Sequence, residues 1–436
     1  MSVSETANTR PPGPDTAVPL GIDPQTLETL TALQREYGDI VGLEKPSGRT
    51  AYFINDPAAV RHILVRRHTR YEKGPGFERV KMLLGNGLIV SNGDVWRRSR
   101  TMIQPAFKVQ NVHRLMQVMV DCSEKRAAAW SHAAERGELI SITQETSDFA
   151  LELILVSIFG ADYENKLLAD GDNPFDFLSK DSTRDLSVVM KVRKLREQLL
   201  DIIAARREHD DDEFDFLSMY MQARDKQGNP FSDKELLDEL MTLIVAGFET
   251  SANTLNWVWY LLAHNPSVEQ RLIGEALQQL PDDDRLNAEH TSAMVYTQQV
   301  LEETLRLYPP VWLFTRRAIE ADELEVFGVP AGADIYLSPY ILHRTEKYWP
   351  QPDRFDPDRF AGDTATRKDR PYFPFSLGPR RCLGEYFSFL EMKLHLGMLL
   401  PRFQLQAVDS NVPALELGIN LRAKTDIMLK PVVRGH

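Results

Sequence analysis

Cysteine is nearly absent, with only Cys122 and Cys382 in a chain of 436 residues. At most one bridge is possible, so no disulfide framework shapes the fold, and this usage suits a reducing compartment. Positive charge is in deficit as well: 51 Lys and Arg face 63 Asp and Glu, for a net charge of −12. That balance argues against general affinity for nucleic acid or anionic membrane surfaces. Long apolar runs are missing too. No window approaches the ~20 residues of a membrane span, and Met1 to Leu20 lacks a signal-peptide core, so the expected location is the cytoplasm. There is no His-Glu-x-x-His, no Walker loop and no Gly-x-Ser-x-Gly. Gly85-Asn86-Gly87 runs to Val90 where a dinucleotide fingerprint needs glycine, so no nicotinamide or flavin site is expected.

What is present suffices to fold, since 43% of the residues are hydrophobic. Residues 1–19 contain Pro11-Pro12-Gly13-Pro14 and read as a mobile or extended leader ahead of a single domain over 20–436. Helical spacing recurs over 112–134, 146–159, 188–207, 233–262 and 292–307. One hairpin is expected from Ile40, Val41 and Leu43 through Pro46-Ser47-Gly48 to Ala51–Ile54, and another over 324–337, broken at Gly328 and Pro330-Ala331-Gly332. The expected class is mainly α with a small β part. Acidic clusters at 210–213 and 282–284 read as solvated loops, and Cys122 as a small buried helix residue without a function.

The strongest signal is Phe375-Ser376-Leu377-Gly378-Pro379-Arg380-Arg381-Cys382-Leu383-Gly384, a turn-rich stretch leading into an apolar helix near Glu385. A thiolate at a helix N-terminus gains from the dipole and from free N–H groups, which lower its pKa and suit it to bind a metal. Gly378 permits the tight turn, Gly384 leaves room for a flat cofactor, and Phe375 can pack beneath it. The pattern Phe-x-x-Gly-x-Arg-x-Cys-x-Gly resembles the haem-binding loop of the cytochrome P-450 superfamily. By that resemblance Cys382 ligates the haem iron and Arg380 pairs with a propionate.

Other segments resemble the same family in the same order. Glu303-Thr304-Leu305-Arg306 puts acid and base on one helical face, and Arg359, in Phe355-Asp356-Pro357-Asp358-Arg359-Phe360, joins them in a network behind the cysteine loop. Ala246-Gly247-Phe248-Glu249-Thr250 resembles the oxygen-binding groove, where the Glu249 and Thr250 pair helps deliver protons; alternatively Thr250 only back-bonds to the Ala246 carbonyl. Phe248 stands where histidine is frequent. Trp96 and Arg100 match the family's Trp-x-x-x-Arg propionate contact, and Arg316 is preferred over Arg317 as a third cation.

The resemblance implies the cytochrome P-450 fold, a triangular α-rich prism with small sheets, holding heme b, and a monooxygenase that inserts one atom of O2 into a substrate. Ile89, Ala246, Val311, Leu313 and Ile419, with Trp312 near, would line an apolar pocket for a lipophilic molecule such as a terpenoid, fatty acid or polyketide-like compound. The segment 160–188 would cover its entrance. The stretch after Cys382 is too short for a flavin reductase domain, so NAD(P)H electrons are expected through a ferredoxin and its reductase. Arg97, Arg98, Arg100, Lys108 and Arg381 would form the docking face, with Arg97 and Arg98 turned to solvent. A monomer is expected. A peroxide-driven peroxygenase usually lacks the alcohol that Thr250 supplies, and a non-catalytic haem sensor needs an output surface that is not visible.

Overall fold

The computed structural model describes residues 10–168, 174–175, 186–208, 213–279, 286–362 and 370–435. Most of both acidic clusters and much of the segment expected over the pocket entrance lie outside these residues. The exception, Glu213, is no solvated bystander: it pairs at 2.6 Å with the buried Arg206.

The longer helices are α1 Pro24–Tyr37, α2 Phe77–Leu84, α3 Gly93–Ile103, α4 Met116–Arg136, α5 Ile142–Phe159, α6 Leu186–Glu208, α7 Asp233–His264, α8 Pro266–Gln279, α9 Val295–Leu307 and α10 Glu385–Leu399. The helical windows read from spacing all fall on them, although 112–134 is divided at Leu115 and 292–307 at Met294. The mainly α class therefore holds. The axis of the molecule is α7, which opens on a capping box: the Ser232 hydroxyl accepts from the Glu235 N–H, and the Glu235 carboxylate accepts from the Ser232 N–H. It packs on α5 through one large core that includes Phe149, Ile154, Leu240, Ile244 and Trp257. Gly247 allows this close packing, because a Cβ there would lie 2.9 Å from the Ile154 side chain, which would have to shift. Phe248 is buried in the same core, a hydrophobic role that explains its presence without any polar function. No helix among the described residues is long and apolar enough to cross a membrane.

The strands are β1 Ile40–Glu44, β2 Thr50–Ile54, β3 Tyr71–Lys73, β4 Ile140–Ser141, β5 Phe314–Ala318, β6 Asp322–Leu324, β7 Phe327–Val329, β8 Asp334–Leu337, β9 Phe403–Ala407, β10 Leu415–Leu417, β11 Leu421–Ala423 and β12 Met428–Val433. The main sheet runs β1-β2-β8-β5-β3. The first expected hairpin is β1–β2. The second is corrected: β6 pairs with β7, but β8 leaves that ribbon to pair in parallel with β2 and antiparallel with β5. The turn residues Pro330-Ala331-Gly332 end one ribbon and feed a different sheet, and local sequence cannot choose between those partners. Residues 10–19 lie along β1, with the Gly42 N–H donating to the Pro12 carbonyl at 2.9 Å and the Val18 N–H to the Glu44 carbonyl at 2.8 Å.

Candidate active site

Cys382 lies between a short turn at Gly378–Arg380 and the start of α10. Gly378 has φ +69°, and a Cβ there would approach the Leu64 carbonyl oxygen to 2.3 Å, so only glycine serves. The turn closes with the Cys382 N–H donating to the Phe375 carbonyl at 3.0 Å. Phe375 packs against Phe389 of α10, ring centroids 5.4 Å apart. At Gly384 a Cβ would meet protein atoms only at 3.9 Å, so the polypeptide alone does not require glycine there.

The Cys382 thiol is reachable from solvent yet closely surrounded by protein. Burial pushes its pKa up to about 11, outweighing the opposing pull of the Gly384 N–H, Arg100 and Arg381. The expectation of a lowered pKa is thus corrected: desolvation exceeds the helix-end effect. A metal cation held on the sulfur would supply the missing charge compensation and favour its thiolate form. Cys122, by contrast, is buried and its thiol pKa is pushed far up, mainly by desolvation.

Beside the cysteine loop stands a group of cations. The Arg380 guanidinium lies 4.4 Å from the Trp96 ring centre and donates to the Ser91 carbonyl at 3.3 Å and to Asn92 Oδ1 at 3.1 Å. Arg100 donates to the Arg381 carbonyl at 2.8 Å, so α3 is docked onto the loop by both of its matched residues. Arg316 on β5 is buried and donates to the Thr315 carbonyl. Its strand neighbour Arg317 points to the other face, where it pairs with Asp334 at 2.8 Å. Lys73 was not singled out from sequence. It lies directly across β3–β5 from Arg316, a like-charge pair that repels when alone.

None of Lys73, Arg100, Arg316 and Arg380 forms an ion pair among the described residues. Burial, with repulsion from neighbouring arginines, lowers Lys73 well below its ordinary pKa and Arg316 to about 9; burial, with repulsion from Arg97, lowers Arg380 to about 10 against the pull of Glu72. Buried cations without acids are costly unless an anion reaches them. Two carboxylates on the rim of a flat group, over a thiolate, match this donor set, so the residues present fit haem.

On the other side of the site, the middle of α7 loses its burial: Val245, Ala246, Gly247, Glu249 and Thr250 are each partly accessible. The Thr250 hydroxyl donates to the Ala246 carbonyl at 2.9 Å, the back-bond weighed in the sequence reading, and α7 remains helical through it. Ile89, Val311 and Leu313 are partly buried and Ile419 is exposed. Trp312 is fully buried and donates to the Gly418 carbonyl at 2.9 Å; together with the Leu421 N–H on the Pro310 carbonyl, this ties the β10–β11 hairpin bearing Ile419 to the segment with Val311.

Behind the cysteine loop, Arg306 makes a bidentate pair with Glu303 at 2.7 and 2.9 Å, both fully buried, and Arg359 approaches Glu303 at 3.4 Å. The Asp356 N–H adds a 2.9 Å bond to the same carboxylate. Glu391 of α10 was missed from sequence: it is buried, accepts the Ser251 hydroxyl, and burial pushes its carboxyl up to about 8.

The expected basic face is corrected at Arg98, while Arg97 is turned to solvent as expected and Lys108 is exposed. Arg98 is held inward by Asp225 at 2.8 Å, Glu235 at 2.7 Å and the Pro230 carbonyl, with Phe231 alongside. Arg97 pairs with Asp94, and Arg381 with Glu385. Arg97 and Arg381 thus keep exposed side chains beside acids three and four residues away in sequence, whereas Arg98 is drawn in by acids distant in sequence.

Against known proteins, the cytochrome P450 family model matches residues 16–429. The chain belongs to the cytochrome P450 family. It is 32% identical to cyclooctatin synthase of Streptomyces melanosporofaciens, over 85% of this chain and 84% of that one. Cyclooctat-9-en-7-ol 5-monooxygenase of the same organism is 30% identical, covering 85% and 83%. A retinoic acid-bound cyanobacterial CYP120A1 shares the fold with a TM-score of 0.84, covering 98% of this chain and 99% of that one at 24% identity. This P450 is thus a haem-dependent monooxygenase.

Proposed function

We propose that this P450 oxygenates a lipophilic, terpenoid-type hydrocarbon in the cytoplasm, using NAD(P)H electrons passed through a ferredoxin and its reductase. What supports the substrate class is the wholly apolar set Ile89, Ala246, Val311, Leu313 and Ile419 that the family resemblance assigns to the pocket, with Ala246 on a partly accessible stretch of α7. Terpenoid-oxygenating bacterial relatives support the same class. One domain, from residue 20 onward, holds the site.

When bound, the haem supplies dioxygen activation and oxygen insertion. Cys382 holds the iron. Arg380, Arg316, Arg100 and Lys73 neutralise the propionates, with Trp96 supporting Arg380. Thr250, whose own hydrogen is committed to the Ala246 carbonyl, keeps an oxygen free to accept and would order a proton-bearing group at the site. Glu249, one residue earlier, is the acid of the pair and would pass protons toward the site. The Glu303, Arg306 and Arg359 network fixes the back of the loop.

Titration of the holoprotein with cyclic terpenoid hydrocarbons, followed by the low- to high-spin shift, tests the substrate class; fatty acids shifting it while terpenoids do not would contradict the class. The reduced CO complex should show the red-shifted Soret band of thiolate ligation, lost in Cys382→Ala. Thr250→Ala should keep haem and release more peroxide per NAD(P)H. Turnover with peroxide alone, indifferent to ferredoxin, would favour a peroxygenase instead.

A further inference from the structure

Among the described residues the ribbon β10–β11 has no third strand, and a lone two-stranded ribbon is marginal in water. Its strands are anchored by the side chains of Leu417 and Leu421, both buried in the main core. Those contacts fix how deep the strands sit, but not the tilt of the turn Gly418-Ile419-Asn420 between them. The turn closes on itself, with the Gly418 N–H donating to the Asn420 carbonyl at 3.0 Å, and Ile419 at its tip is exposed. Two hydrogen bonds reach it from outside among the described residues, one on each side of Ile419. The Leu421 N–H donates to the Pro310 carbonyl at 2.8 Å, and the Trp312 indole N–H donates to the Gly418 carbonyl at 2.9 Å.

The first of these bonds is between main-chain groups and asks nothing of the side chains. The second depends on one side chain, and that side chain is held rigidly. The indole of Trp312 is fully buried in the same core as Leu417 and Leu421. Its backbone is tied to the main sheet, because the buried Ser338 hydroxyl, just past β8, donates to the Trp312 carbonyl at 2.8 Å. A buried tryptophan ordinarily finds an acceptor for its N–H. Here the acceptor belongs to the residue that precedes an exposed apolar tip, so the indole carries the position of the main sheet to Ile419.

We propose that Trp312 is a positioning residue for the substrate pocket: through the Gly418 carbonyl it fixes Ile419 as a rigid apolar wall, and thereby sets which rigid lipophilic shapes the pocket accepts. The idea rests on reading Ile419 as a pocket residue. Without the indole N–H the strands stay anchored by Leu417, Leu421 and the Pro310 carbonyl, so the ribbon remains in place while its tip gains freedom. A rigid ligand that packs on Ile419 then meets a yielding wall. A small ligand that does not reach Ile419 is indifferent.

Two azoles that bind haem iron and shift the Soret band separate these cases: imidazole, which is small, and 1-(biphenyl-4-ylmethyl)imidazole, which is long, rigid and apolar. Trp312→Phe removes the N–H but also leaves a gap in the core. The decisive variant is therefore Trp312→3-benzothienylalanine, which keeps the two-ring shape and puts sulfur where the N–H was. In the holoprotein it should weaken the biphenyl azole severalfold and speed amide exchange over 415–423, with haem content and imidazole affinity unchanged. Ile419→Ala should weaken the biphenyl azole as well. Because Trp312 acts through Ile419, the benzothienyl replacement should cause no further loss in the Ile419→Ala background, a coupling that a merely structural role would not give. Wild-type binding of the biphenyl azole by the benzothienyl variant, with Ile419→Ala responding, would overturn the positioning role alone. Additive losses would also overturn it, since Trp312 would then act elsewhere. An unresponsive Ile419→Ala would overturn the pocket reading beneath it.

Discussion

Two buried charge clusters flank the cysteine loop, and they are built on opposite principles. Behind the loop, Glu303 is enclosed by Arg306, Arg359 and the Asp356 N–H, and Arg306 spends its remaining donors on the His343 and Arg354 carbonyls. That cluster is closed within the polypeptide. Beside the loop, Lys73, Arg100, Arg316 and Arg380 meet, among the described residues, only carbonyls, an amide oxygen and aromatic rings. That cluster is complete only when something anionic joins it. Buried ion pairs that satisfy themselves fix geometry, whereas buried cations left without acids mark a place for a ligand.

Breaking the closed cluster should give the largest effect. Arg306→Ala leaves Glu303 buried with its better partner gone and should cost ~3–5 kcal/mol, lowering the denaturation midpoint of apoprotein and holoprotein alike. Arg359 is farther from Glu303 and less buried, so Arg359→Ala should cost only ~1–2 kcal/mol. An apoprotein indifferent to Arg306→Ala would remove the distinction between the two clusters.

Changing the open cluster should act with opposite signs in the two forms. Lys73→Met removes one member of the repelling cross-strand pair with Arg316, so the apoprotein should melt at the same temperature or higher. Haem should nevertheless dissociate faster, as followed by transfer to apomyoglobin. Loss of stability in both forms would make Lys73 part of an internal network.

A smaller effect comes from Glu391, a buried carboxyl that accepts a serine hydroxyl and pairs with no cation among the described residues. Its folded pKa of about 8 lies above the ~4.3 of an unfolded glutamate. The folded state therefore holds the proton more tightly, and its contribution is complete below ~4.3 and declines as pH rises toward 8. Glu391→Gln fixes the neutral form, so its Tm should match wild type near pH 4.5 and exceed it by several degrees at pH 8.5. A constant difference across that range would show that the carboxyl titrates normally.

Much of this was legible in sequence because it is local. Helical spacing located the long helices, Pro46-Ser47-Gly48 located the first hairpin, and Glu303 and Arg306 sit one turn apart, close enough for spacing to bring them together. What escaped is non-local. Lys73 lies in an ordinary Tyr-Glu-Lys run, and only the pairing of β3 with β5 sets it against Arg316. Helical angle alone turned Arg98 toward solvent, but Asp225 and Glu235, more than a hundred residues away, turn it inward. The rise in the Cys382 pKa depends on how much protein surrounds the sulfur, a quantity no motif encodes. Gly85 and Gly87 stood out only as an incomplete dinucleotide fingerprint, and the carboxylate they approach comes from α7.

The central claim is that the open cation cluster exists to meet the two carboxylates of haem. Titrating the apoprotein with protohaem and with its dimethyl ester, in which both propionates are uncharged, tests this most directly. Wild type should bind protohaem at least tenfold more tightly than the ester, and Lys73→Met should narrow that ratio by weakening protohaem alone. Equal affinity of the wild-type apoprotein for the two porphyrins would contradict the account.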